Sequence, residues 1–168
     1  MTDTNGIFVT GLRNAHAMEN QALSIMKPQV ERIENYPEVA QRLAQHIAET
    51  EVQIERLEQI LEGFGESKSS LKDAALSLSG SMAAITHSMA PDEIVKNSFA
   101  NYAFEHFEIA AYKSLLALSN QAGNSTATAL LRQNLDEELS MAQWLDQNIE
   151  PVTLKYAALS ESGQTAKK

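Results

Sequence analysis

The chain has no cysteine, which removes disulfides, thiolate zinc sites, iron–sulfur clusters and cysteine nucleophiles together. Breakers are sparse, with 7 glycines and 4 prolines in 168 residues. Continuous β-branched runs are missing too, while Ala, Leu, Glu and Gln abound, so the composition predicts an all-α fold. Basic residues are the minority. The 13 Lys and Arg stand against 22 Asp and Glu, a net charge of -9, without the clustered cations that phosphate binding requires, so nucleic acid is excluded as a partner. No stretch approaches the roughly 18 uninterrupted apolar residues of a membrane span. The start, MTDTNGIFVTGLRNA, lacks a basic segment followed by an apolar one. Both absences point to a cytoplasmic protein that neither crosses nor leaves the membrane.

What is present is helical periodicity. A first helix is expected from about Asn5 to Ile33, bent at Pro28, and ENYPE ends it. Pro37 suits the first position of a second helix carrying Val39, Leu43, Ile47, Thr50, Ile54, Leu57, Leu61 and Phe64 on one face, closed by Gly63 and Gly65. From Glu66 to Asp92 a shorter helix is expected, with Leu71, Ala74, Leu78, Met82 and Ile85 at helical spacing. After Pro91, IVKNSFANYAFEHFEIAAYKSLLALS is apolar nearly all round, which predicts a helix covered on every side, in part by a second subunit. QAGNST supplies a turn with a cap at Ser125, and a fourth helix follows until Pro151 ends or kinks it before a short helical extension. Two short joins and one long one fit a four-helix bundle with a single long crossover containing an extra short helix. The domain spans 1–160, and the closing SESGQTAKK has the composition of a frayed tail, flexible over 161–168.

Acids interrupt the apolar stripes. Phe8, Leu12, Ala15, Ala22 and Met26 recur three or four apart, and the position between Ala15 and Ala22 is Glu19. In the fourth helix Leu131, Leu135, Ala142, Leu145 and Ile149 define an inner series in which Glu138 takes the third place. An unpaired buried carboxylate is costly, so each implies a neutralising partner or a metal. The plain alternative is a buried Glu–Arg or Glu–Tyr pair. Glu105, Glu108 and Tyr112 share a strip on the third helix, and two acids one turn apart repel unless a cation or protons lie between them. A strip facing solvent is the bland reading. On the second helix Thr50 is at the centre of the apolar face with Glu49 on its flank, Gln53 is a supporting or surface amide, and Arg56 belongs with Glu51, Glu55 and Glu58 to a solvated face. His16, His46 and His106 lie within a turn of these acids, and His87 stands alone. Carboxylates from several helices suit a bridged pair of hard or borderline cations, iron or manganese.

LRNAHAMENQA, NYPE, QHIAET, the FEIA segment and LDEELSMAQWLDQNI together resemble the YciE/YciF-like family of the ferritin-like superfamily along nearly the whole chain. The helix with Glu105 and Glu108 is similar to rubrerythrin's third helix. The resemblance implies a dimeric, four-helix bacterial protein of stress responses with metal carboxylates at Glu19, Glu49, Glu105 or Glu108, and Glu138. In the superfamily a Glu from each of two helices joins a Glu-x-x-His from each of the other two. This sequence departs from that pattern. Val52 stands three residues after Glu49 and Met141 three after Glu138, and His46 is placed to compensate only on the second helix. A single metal, a carboxylate-only pair and an empty site are all compatible with these residues. The function expected is a carboxylate-rich di-iron or di-manganese type metal site that handles oxidants. The rival is a non-enzymatic dimeric scaffold without metal.

Overall fold

The computed structural model describes residues 4–67, 71 and 88–168. Four helices carry it: α1 (Thr4–Arg32), α2 (Pro37–Glu62), α3 (Glu93–Gln121) and α4 (Ser125–Glu161). Contacts along their lengths fix their directions. Arg13 meets Glu66 while Lys27 meets Glu51, so α1 and α2 are antiparallel. Tyr112 reaches Asn134 while Tyr102 reaches Asp146, so α3 and α4 are antiparallel. Glu19–Tyr112 with Gln29–Asn101 sets α3 against α1, and Arg56–Glu137 with Lys155–Glu38 sets α4 against α2. It follows that α2 and α3 run the same way. The end of one and the start of the other lie at opposite ends of the bundle, the single-crossover topology of ferritin-like folds. The extra helix expected within the crossover lies outside the described residues, apart from Leu71, which is buried in the core.

The helix ends follow local chemistry, with two departures from expectation. Gly65, at φ +81°, turns the chain so that the Glu66 amide bonds the Leu61 carbonyl at 3.1 Å, closing α2 as only glycine does cheaply. The cap of α4 is Asn124 rather than Ser125. Its side chain accepts from the Ala127 amide at 3.0 Å, and Ser125 is already helical. Pro151 does not end α4, because Val152 beyond it is buried in the apolar cluster with Ile94 and Leu145. Tertiary packing holds the last turns where local propensity would release them.

The last residues make main-chain contacts with the bundle. The Lys167 carbonyl accepts from the Ile94 amide at 2.9 Å, the Lys168 carbonyl from the Asn35 amide at 3.1 Å, and the Ala166 carbonyl from the buried Tyr36 hydroxyl at 2.7 Å. The first amides of a helix have no partner within it. Tail carbonyls supply one at the start of α3, and others bond the residues just before α2.

The core is in two parts. Phe8, Leu12, Leu57, Leu61 and Leu131, all 0% exposed, anchor one end, each stabilising by about 1.5–3 kcal/mol through burial. Tyr36, Val39, Leu43, Ile94, Met141 and Leu145 fill the other. Between them lies a belt of buried polar groups. α3 supplies the largest share of it. Its buried face carries Glu93, Asn97, Asn101, Glu105 and Glu108, whereas Phe99 and Phe107 are each 52% exposed.

Candidate metal centre

Three of the four helices bring His46, Glu105, Glu108 and Glu138 together in the belt, with ligand atoms all within 4.8 Å of one another. None is more than 2% exposed, so the solvent-facing reading of the α3 strip does not hold. His46 Nε2 lies 3.3 Å from Glu105 Oε1 and 3.5 Å from Glu138 Oε2. The remaining helix, α1, adds Glu19, fully buried, whose Oε1 accepts a hydrogen bond from the Tyr112 hydroxyl at 2.5 Å. The Glu–Tyr pair weighed as the plain explanation for this acid is therefore present. It satisfies only one of the two oxygens.

The unsatisfied atoms carry the chemistry. Oε2 of Glu19, Oε2 of Glu105 and both oxygens of Glu108 and of Glu138 are buried without a hydrogen-bond partner, as is Oε1 of Gln53. Among the described residues no lysine or arginine forms an ion pair with these four acids; His46 alone faces them. Buried carboxylate oxygens are ordinarily paired, since leaving such a group unmade costs about 1–3 kcal/mol or more. A dry group of oxygen donors with one imidazole, and with no lysine or arginine paired to it among the described residues, fits a hard or borderline divalent cation.

Without a cation, protons and one ion pair divide the charge. Burial pushes Glu19 and Glu108 well above the usual carboxylate range, and the neighbouring acids push in the same direction. Burial likewise takes Glu105 up to about 8 against the pull of His46. On Glu138 burial acts upward too, but the imidazole of His46, 3.5 Å away, outweighs it and this acid lies below its ordinary value. Burial disfavours a charged His46, yet bonds to Glu105, Glu138 and Glu49 carry it well above the usual imidazole value. These shifts favour charge on Glu138 and His46 and protons on Glu19, Glu105 and Glu108.

Glu49 is placed outside this group. Its carboxylate accepts from Arg42 Nη1 at 3.1 Å and from Gln45 Nε2 at 2.8 Å, and its Oε2 lies 2.9 Å from His46 Nδ1. Partial burial acts to raise it, but His46 and Arg42 hold it down at about 2. From there it engages Nδ1 and leaves Nε2 facing the acids, the support that ligating histidines ordinarily receive. The inner face of α2 presents His46, Thr50 and Gln53, all at most 1% exposed. Met141, three residues after Glu138, is packed in the apolar cluster.

The remaining histidines stand apart. His16 Nε2 is 3.3 Å from Glu58 Oε1. His106 is exposed, edge-on to Tyr102. His87 lies outside the described residues. Arg56, expected on a solvated face, instead turns to α4 and binds Glu137 through two bonds of 2.7 and 2.9 Å. Asn134, fully buried, links Arg56 to Tyr112. No break in an apolar stripe announces Asn134; its place four residues before Glu138 is the signal it leaves.

Comparison with known proteins agrees with this architecture. The chain is 27% identical over 149 residues to protein YciF of Escherichia coli strain K12, covering 82% of this chain and 85% of that protein. A crystal structure of a protein from Xanthomonas campestris pv. campestris superposes with a TM-score of 0.79 at 30% identity, covering 95% of this chain and 99% of that one. The crystal structure of the E. coli stress protein YciF superposes at 0.67 with 23% identity over 89% of this chain and 96% of that one, a likeness of fold. Since residues 3–158 match the family described as a domain of unknown function, DUF892, the chain belongs to that family and to the YciE/YciF-like group of helical bundles.

Proposed function

We propose that the chain is a cytoplasmic, ferritin-like metal protein that holds iron or manganese, as a dinuclear pair, among Glu19, His46, Glu105, Glu108 and Glu138, and handles peroxide or dioxygen in stressed cells. The observation that carries this reading is the set of buried carboxylate oxygens with no partner, gathered from three helices around one histidine of the other. When bound, such a pair supplies a redox change shared between two metals. The protein's part is to hold the donors rigidly, keep bulk water out with apolar clusters on either side, and orient His46 through Glu49. The name of the E. coli stress protein YciF supports the setting by analogy.

The test is metal content. Protein stripped with chelator and exposed anaerobically to Fe(II), or to Mn(II), is expected to retain metal through desalting, and Glu19→Ala to retain less. Unchanged metal in Glu19→Ala, or none in the wild type, overturns the reading. A scaffold without metal is the second reading, favoured by Val52 and Met141, which stand where the superfamily pattern places histidines. Either reading includes self-association. A groove of roughly 580 Å³ between α1 and α3, walled by Gly11, Met18, Leu115 and Leu118 and bordered by half-exposed Ile7 and Phe107, supports a homodimer across that face.

A further inference from the structure

We infer that Arg56, near the surface between α2 and α4, acts through Asn134 and Tyr112 to fix Glu19 as a one-oxygen metal ligand, an inference that rests on the metal reading above. The argument is the direction of each hydrogen bond. A guanidinium has donors only. Arg56 Nη1, 2.9 Å from Asn134 Oδ1, therefore decides which way the amide faces. The Asn134 Nδ2 group must then point at the Tyr112 oxygen, 3.0 Å away, with its second proton toward the Gln53 carbonyl at 3.4 Å. Tyr112, accepting from the amide, has its own proton left to give, and it gives it to Glu19 Oε1 at 2.5 Å. Donor and acceptor roles are thus fixed from a guanidinium at one end to a carboxylate at the other. Glu137 clamps Arg56 with both oxygens and also accepts from Gln53 Nε2 at 3.1 Å, so the start of the chain is held in place. Its outcome is that Glu19 Oε1 is taken and only Oε2 is free. Arg56 and Asn134 are positioning residues, touching no acid of the centre themselves.

The experiment titrates Mn(II), and Fe(II) without oxygen, into the full chain and its variants. Tyr112→Phe and Arg56→Met are each expected to weaken binding roughly tenfold to a hundredfold, the usual loss when a ligand's supporting hydrogen bond is removed. The double variant should be no weaker than Tyr112→Phe alone, because both act along one path. Arg56→Lys should recover part of the loss. Arg13→Met, which breaks the Arg13–Glu66 ion pair remote from the centre, should bind like wild type. Equal binding by Tyr112→Phe and wild type, or losses from Tyr112→Phe and Arg56→Met that simply add, overturns the relay while the metal reading stands. A wild type that takes up neither metal overturns both.

Discussion

Glu108→Met separates the stability of the bundle from its capacity to bind. Both Glu108 oxygens are buried without a partner, the residue is 1% exposed, and its neighbours include Glu19, Glu105 and Glu138. A methionine of similar length and shape removes a desolvated acid without opening a large cavity, and exchanging buried charged groups for apolar ones of matching volume is often stabilising. Taking about 2 kcal/mol for the unmade group, and about 2–4 °C per kcal/mol for a chain of this size, the variant should melt about 4–8 °C above wild type in chelator. With metal in thousandfold excess over its Kd, wild type should gain about 4 kcal/mol by linkage, and the order should reverse. Differential scanning calorimetry in both conditions reads this out. A variant that melts below wild type in chelator, by the margin of an ordinary core lesion, would refute the reasoning, because it would mean that the carboxylate is already well satisfied.

Further expectations follow from the same contacts. Glu49→Ala should weaken metal binding roughly 10- to 100-fold by releasing His46 while the number of ions bound stays the same; losing a whole ion would make Glu49 a ligand. Tyr36→Phe deletes the buried bond to the Ala166 carbonyl and should cost about 1 kcal/mol, or about 2–4 °C in melting temperature; an unchanged melt would mean that the tail adds nothing to stability. Phe107→Asp should convert a dimer to a monomer in size-exclusion chromatography with light scattering, and an unaltered mass rejects that face. Leu131→Ala, at a position with no exposure, should lose about 2–5 kcal/mol in urea unfolding. A loss under 1 kcal/mol would contradict the packing described.

Glu19 and Glu138 were legible because each interrupts an apolar series whose period is set by the helix itself. At about 100° per residue Glu49 falls on the flank of α2, and there it bonds Arg42, Gln45 and His46 Nδ1. Amides such as Asn134, Gln29 and Asn101 left little trace. A buried amide bonded to another polar group is tolerated on an inner face, so it disturbs neither periodicity nor composition. The contacts of the tail leave no trace in composition for a related reason. Its side chains are those of a solvated segment, but its contacts are made by peptide carbonyls, to which composition is blind. Pro151 illustrates the opposite failure, where a strong local signal yields to the packing of Val152. On α3 the high apolar content masks how many polar residues turn inward, Asn97, Ser98 and Asn101 beside Glu105 and Glu108.

The belt lies on a seam. α1 and α2 make one hairpin and contribute Glu19 and His46; α3 and α4 make the other and contribute Glu105, Glu108 and Glu138. An ion seated there would cross-link segments distant in the chain and so restrict the unfolded ensemble, as a disulfide does by closing a long loop. In a protein without cysteine, coordination at the seam becomes the available way to rivet the two hairpins, and prying them apart would dismantle the donor set in the same motion.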